Sequence, residues 1–512
     1  MTSGWPEISS SSALSILIHR IFSIHINSPN KEADYAPENI IVRDVAIIGG
    51  GASGTYAAIR LQQDYNKSVL VVEQKDVLGG HTEAYHDPES GSTIDIGVIV
   101  YLDLPLVRNF FARFDIPLTT MFFNSQVIKE VDFRTGLPVS LPPTFDDTAA
   151  AFARYADQLA RYPTLTEGYV FPDPIPDDLL LPFLHFVQKY NLTAILPSAW
   201  SYAQGYGDIL NLPTVHVLKV CGPQILRPLS AGFLTTARWN NHEIYEKSLA
   251  LLGNGTNVLL GSSIVAMRRD GCANYVDFLV RTPNTHTLVR ARQVLFTIPP
   301  QLEGRSRFDL DRREMALFSK FQNFEYYTGL LRNVPITDNT TLINMAMDPL
   351  NFYLPTLPTT YFLGRTYKRS NLINVKFGSD GTLTLDQIQR QIIAETTRAV
   401  PGAKPEFVTF RNHSPFALRV SADEIKSGFY ARLNQLQGRR RTWWTGAAWH
   451  AQDSGLLWNF TEGILAQMQR ASDTGCPDGE VESRSIPRTA NRSCGMSRKC
   501  YSFESCSATP WA

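Results

Sequence analysis

The sequence carries no net charge, with Lys plus Arg and Asp plus Glu at 48 each in 512 residues. A balanced chain sets up no long-range field to gather nucleic acid or anionic lipid, which excludes a polyanion partner and points to a small neutral or weakly charged ligand. Cysteine is scarce and uneven: Cys221 and Cys272 lie in the body, and Cys476, Cys494, Cys500 and Cys506 near the C-terminus. No CxxC pair and no His-spaced zinc pattern occurs, so no metal site is expected. Long apolar runs are missing too. The stretch from Ser12 to Ile26 is broken by His19, Arg20 and His25, short of the roughly 20 apolar residues that span a bilayer. It is followed by no clean small-residue cleavage site. Seven Asn-x-Ser/Thr sequons, at Asn66, Asn191, Asn254, Asn339, Asn412, Asn459 and Asn491, lean weakly toward a secretory route, and the compartment stays open between that and the cytoplasm. No internal repeat excludes a solenoid. No Ser-His-Asp order and no kinase lysine motif offers a competing chemistry.

A hydrophobic fraction of 44% is that of a globular protein, and the length calls for two or more domains. Val42–Ile48 reads as an apolar strand running into glycines. Residues 53–65 carry helical spacing, and Ser68–Glu73 is a near-continuous apolar strand of the kind buried on both faces of a parallel sheet. Together these make one β-α-β unit. Residues 109–250 are rich in Phe, Tyr, Leu and Pro and read as mostly helical, with stretches around 147–161, 178–190 and 242–253. Strand character returns at Asn257–Leu260, Ile264–Met267, Tyr275–Val280 and Val289–Ile298, with a turn at Asp270–Gly271. Residues 301–429 mix strands and helices. Thr442–Thr445 reads as a strand, followed by an amphipathic helix to about Met468.

The motif that carries chemistry is Gly49-Gly50-Gly51-Ala52-Ser53-Gly54. Gly49 permits the tight turn, Gly51 lets the backbone approach a pyrophosphate, and Gly54 allows close helix–strand packing. Phosphates then sit at the helix N-terminus, where free N–H groups and the dipole favour negative charge. A glycine turn alone has a purely structural explanation. Here a strand precedes it, a helix follows it, and Glu73 closes the next strand as a ribose-hydroxyl acceptor. The chain then reads Val77-Leu78-Gly79-Gly80-His81-Thr82 and Thr93-Ile94-Asp95-Ile96-Gly97-Val98.

This order of motifs resembles the flavin-containing amine oxidoreductase superfamily, whose members carry GxGxxG, a Glu, Gly-Gly-Arg and Asp-x-Gly in sequence. His81 stands where many have Arg. Gly-Gly-His-Thr, with Thr445-Gly446-Ala447-Ala448-Trp449-His450 and Asp453-Ser454, is similar to a fungal branch typified by beta-cyclopiazonate dehydrogenase, over roughly residues 43–470. The resemblance implies an α/β fold: a discontinuous Rossmann-type FAD-binding domain with a mixed α+β, amine-oxidase-like substrate domain. With the composition and periodicity along the chain, the expected division is an N-terminal extension (1–40), FAD-binding parts (41–108, 251–300 and 430–472), a mostly helical substrate region (109–250), a second substrate segment (301–429) and a disordered, cysteine-containing tail (473–512). The resemblance implies that Gly49, Gly51, Ala52, Ser53 and Gly54 hold the pyrophosphate and Glu73 the adenosine ribose, with Lys75 along the adenosine side. Gly79, Gly80 and His81 line the ribityl–pyrophosphate stretch, Gly97 and Val98 run along the flavin ring, Ile264 meets adenine, and Gly446 and Ala447 return to the flavin. The family's late Gly-Glu is absent, and Asp453 is the candidate substitute.

No catalytic residue is assigned. His413 and His450 read as surface or satisfied polar groups, and Trp443, Trp444, Trp449 and Trp458 as mostly core. In the superfamily a lysine often holds water near the flavin's reactive nitrogen, but Lys219 and Lys376 sit in no matching motif and are set aside. The implied function is an FAD-dependent oxidoreductase that takes a hydride from a hydrophobic, amine- or indole-containing secondary-metabolite intermediate, with oxidative cyclisation as one outcome and molecular oxygen as an electron acceptor. The alternatives are a flavin monooxygenase, for which a second GxGxxG is missing, and a non-catalytic flavin-binding protein.

Overall fold

The computed structural model describes residues 40–122, 127–269, 274–300, 305–366 and 370–473. The N-terminal extension up to residue 39, the Asp270–Gly271 turn, Cys272, the tail cysteines and Asn491 lie outside them. The chain is organised by two sheets. In the first, strand β1 (Ile40–Ile48) leads into helix α1 (Ala52–Ile59), which a π-helical turn prolongs through Asp64, and strand β2 (Val69–Val72) follows. β1 pairs in parallel with β2 on one side and with strand His286–Phe296 on the other. Every residue of β2 is buried, as expected of a strand covered on both faces. The sheet has seven strands, and Ser263–Arg268, Val276–Arg281, Val258–Leu259 and Thr442–Trp444 complete it. Its members come from three separate stretches of chain, and the strands read from the sequence fall at these places within one to three residues.

The second, eight-stranded sheet carries Gln322–Arg332 and Ile373–Ser379 near one end and Thr359–Arg365, Thr340–Asn344 and Val127–Asp132 toward the other. Helix Leu385–Ala399 buries Ile388 and Ile392 against Leu363, Val375 and Phe377 on one face. The opposite face looks into the interior between the two sheets.

Two readings of the helical region need correction. Residues 109–250 also hold strands: Leu118–Met121 pairs with Phe233–Thr236, and Val127–Asp132 joins the second sheet in parallel with Thr340–Asn344. These strands are four to six residues long and their partners are remote in sequence, so local periodicity gave little sign of them. The expected helix over 178–190 is two, Asp177–Leu180 and Phe183–Lys189. Pro182 separates them, because its ring and missing N–H forbid a continuous helix.

The last helix, Ser454–Asp473, packs on α1. Trp458 stacks on Tyr56 with ring centres 5.6 Å apart, and its Nε1 donates to the Ala52 carbonyl at 3.1 Å. Trp443, Trp444 and Trp449 are buried as well, so all four tryptophans are core. Among the described residues no helix is long and apolar enough to cross a membrane.

Gly54 fixes how close α1 comes to β1. A Cβ there would lie 1.9 Å from the Gly49 carbonyl oxygen. Gly54→Ala should therefore push α1 off the sheet and destabilise the protein by about 1–3 kcal/mol, the usual cost of overpacking. Chemical denaturation of the apoprotein checks this, and an unchanged midpoint would remove Gly54 from the packing role.

Candidate active site

A cavity of about 950 Å³ runs between the two sheets. It begins at the C-terminal ends of β1 and β2, where ligands of open α/β sheets bind. Gly49 has φ +105°, a turn that favours glycine. Gly51 precedes α1 in extended conformation, and a Cβ on it would meet nothing nearer than the Gly80 Cα at 3.6 Å. The protein itself thus leaves room at Gly51, and that bare strip faces the cavity. The Ser53 hydroxyl, in the first turn of α1, is buried without a hydrogen-bond partner. An anion at the helix N-terminus would satisfy it, so the loop suits a bound pyrophosphate.

Glu73 ends β2 and is buried. Its carboxylate accepts from the Gly50 N–H at 2.7 Å and the Lys75 N–H at 2.8 Å. It keeps lone pairs free beyond these two bonds. Lys75 donates to the Gly80 carbonyl and pairs with Glu83, which ties the first glycine loop to the second. Burial pushes the Glu83 carboxyl up, but hydrogen bonds from His413 and Lys75 outweigh it and hold it down at about 2. Gly261 and Ser262 donate backbone N–H groups to the Lys75 and Glu73 carbonyls, which brings Ile264 to the same end of the cavity.

His81 lines the cavity with its ring stacked on His413 at 4.6 Å and Phe416 at 5.8 Å. Burial, with the nearby His413 and Lys75, holds its pKa well below the ordinary range, so it is neutral at pH 7. Gly97 packs against it: a Cβ on Gly97 would lie 1.8 Å from the His81 carbonyl oxygen. Gly446 has φ +115° and follows Thr445, whose N–H donates to the Phe296 carbonyl. Ala447, Val98, Gly79 and Gly80 complete this part of the wall. Of the fifteen cofactor residues expected from the sequence, Gly54 stands behind the wall and the rest line the cavity.

Asp453 lines the cavity and accepts from the Leu456 N–H at 2.9 Å. Burial raises its pKa to about 6 despite that bond and one from Gly455. His413 and His450 are buried, so neither is a surface group. His413 lies beside Glu83 at 3.4 Å, while His450 donates from Nε2 to the Thr166 carbonyl at 3.0 Å and leaves its buried Nδ1 without a partner.

The lysines set aside from the sequence are the correction here. Both line the cavity. Lys219 donates to the Leu165 and Gly168 carbonyls. Lys376 donates to the Ile96 and Gly97 carbonyls, the segment expected along the flavin ring. Burial pulls each pKa down to about 7. A signal for Lys376 was present in Ile373-Asn374-Val375-Lys376-Phe377, where period-2 alternation puts Asn374 and Lys376 on one face of a strand.

The fold and this cavity define a dinucleotide-binding protein of amine-oxidase-like fold. Residues 47–114 match the NAD(P)-binding Rossmann-like domain family. The chain is 38% identical over 440 residues to the FAD-dependent oxidoreductase oblC of Cochliobolus heterostrophus, covering 83% of this chain and 90% of that one. It is 34% identical over 438 residues to beta-cyclopiazonate dehydrogenase of Aspergillus oryzae, covering 84% and 93%. Among solved structures it is similar in fold to a CLA-producing fatty acid isomerase from P. acnes, with a TM-score of 0.70 at 18% identity over 83% of this chain and 98% of the other. Putrescine oxidase superposes with a TM-score of 0.60 at 16% identity, over 85% and 99%. The chain belongs to the fungal FAD-dependent oxidoreductase family that includes beta-cyclopiazonate dehydrogenase, and FAD is its cofactor.

Lys376 gives a pH prediction. Its proton leaves the folded chain near pH 7 but the unfolded chain near 10.5. Between those values the unfolded state binds more protons, so stability rises with pH across that window. Lys376→Met should flatten the rise in melting temperature between pH about 7 and 10. An identical slope in the variant would place the titration elsewhere.

Proposed function

We propose that this enzyme removes a hydride from a hydrophobic, amine- or indole-containing secondary-metabolite intermediate, with ring closure following where the oxidised product carries an internal nucleophile. The observation that carries this reading is the continuity of the cavity. It runs from the phosphate loop, past Gly97 and Lys376, into a chamber walled by Trp200, Tyr326, Tyr361 and Phe416. Such a chamber suits a bulky aromatic molecule. In this reading Gly49, Gly51, Ala52 and Ser53 hold the pyrophosphate, Glu73 the ribose, and Ile264 the adenine, with Lys75 nearby. Gly79, Gly80 and His81 follow the ribityl chain, and Gly97, Val98, Gly446 and Ala447 border the ring. FAD, once bound, supplies the hydride acceptor.

The chain's own residues set the conditions. Hydride loss beside a nitrogen needs the nitrogen lone pair, hence a neutral amine. Burial disfavours charged forms, and it lowers both cavity lysines to about 7. Molecular oxygen is the proposed final acceptor.

Two measurements test this. Gly51→Val should fold but purify without flavin, because its side chain would occupy the pyrophosphate strip; a folded variant with normal 450 nm absorbance would remove Gly51 from the site. Anaerobic addition of an indole-bearing amine such as tryptamine should bleach the wild-type flavin. Bleaching by NADPH, with no response to amines or indoles, would favour a monooxygenase instead.

A further inference from the structure

The open face of the eight-stranded sheet is one wall of the cavity, and its register resolves into rungs. Ile128 pairs with Thr341, Thr341 with Gly364, and Gly364 with Asn374. The neighbouring rung begins at Glu130 and ends at Lys376 through Ile343 and Phe362. All of these line the cavity, while the alternate residues face the opposite core. Strands lie about 4.8 Å apart, so three steps carry this floor roughly 14 Å. One end is Ile128, 44% exposed at the sheet edge. The other is Asn374 and Lys376, which both reach the backbone of Asp95–Gly97.

Asn374 is 6% exposed. Its Nδ2 donates to the Asp95 carbonyl at 3.3 Å. Only the amide NH₂ can donate to a carbonyl, so this bond fixes which end of the amide is which. The Oδ1 is buried and has no hydrogen-bond partner. Its flanking rung positions cannot supply one from a side chain, since they are Gly364 and Leu330. A buried acceptor left unpaired is costly, and this one lies beside the segment bordering the flavin ring.

We propose that Asn374 is a substrate-recognition residue whose Oδ1 accepts the N–H of a substrate that enters past Ile128 and lies across the sheet face beside Phe362, whose ring leans over Gly364. The inference rests on the nitrogen-containing substrate class proposed above and adds its orientation. The nitrogen carries a hydrogen and faces Asn374, which brings the adjacent carbon toward Gly97. An N-alkylated analogue offers no donor and leaves the acceptor unpaired. Sites built to hydrogen-bond a group discriminate strongly against analogues that lack it.

Holoenzyme should be titrated with indole and with 1-methylindole, reading the perturbation of the bound flavin's visible spectrum. The wild type should bind indole roughly tenfold more tightly, the worth of one hydrogen bond to a buried acceptor. Asn374→Leu should bring the two affinities within about twofold, at unchanged flavin content, as expected when that single bond is removed. Asn374→Asp keeps an acceptor and loses the anchoring donor, so the preference for indole should survive in it. Where Asn374→Leu fails to retain flavin, Asn374→Ala repeats the comparison with a smaller change. Equal binding of the two probes by the wild type, or a preference retained in Asn374→Leu, overturns the proposal alone. Binding of neither probe overturns it together with the substrate class on which it stands.

Discussion

Two bare stretches of backbone touch at the centre of this protein, and the rest is arranged around that contact. A Cβ on Gly80 would lie 2.9 Å from the Gly51 Cα, and one on Gly54 would strike the Gly49 carbonyl. The first glycine loop ends β1 and the second follows β2, so the contact exists only because those strands are parallel neighbours. Lys75 locks it by bonding the Gly80 carbonyl and Glu83. Glu73 locks it from the other side by accepting the Gly50 N–H. A pyrophosphate can be held here by backbone N–H groups rather than by a permanent charge, which fits a chain with His81 in place of arginine.

The second sheet is attached to this centre through backbone carbonyls. Asn374 holds the Asp95 carbonyl and Lys376 those of Ile96 and Gly97. Ile94 and Ile96 pack beside Leu330 and Leu372. The Asp95–Gly97 segment is therefore shared property: its chain follows the nucleotide fold, while its position is set by the second sheet. Two hydrogen-bonding side chains and an apolar patch thus join the second sheet to this segment.

How much was legible in the sequence follows from the range of the forces involved. The glycine loops, β1, α1 and β2 are local patterns, and each was readable because turn chemistry and apolar runs act over a few residues. So were the four core tryptophans. Val127–Asp132 was not, because its strand character depends on pairing with Thr340–Asn344, which only the fold brings near. Lys219 and Lys376 were missed for a related reason. A lysine in an apolar run looks alike whether it snorkels to water or is held inside, and here carbonyls of the Leu165–Gly168 turn and of Ile96–Gly97 decide the matter. Asp453 was legible as a candidate, yet its burial in the cavity wall came only with the last helix.

Four titratable groups of the cavity share one direction. His81 is driven toward neutrality, Lys219 and Lys376 are lowered to about 7, and Asp453 is raised to about 6. Burial is the first cause in each case. Glu83 goes the other way because His413 and Lys75 surround it, and it sits with the loop that braces the cofactor end. Charge is thus retained at Glu83, where it fixes the scaffold, and disfavoured by burial at His81, Lys219, Lys376 and Asp453. Hydride transfer moves negative charge out of the substrate and leaves a cation behind, so a fixed positive charge beside the substrate would oppose it. A lysine that can shed its proton near neutral pH avoids that penalty, and its unprotonated amine can still hold the carbonyls that position the site through its remaining N–H groups.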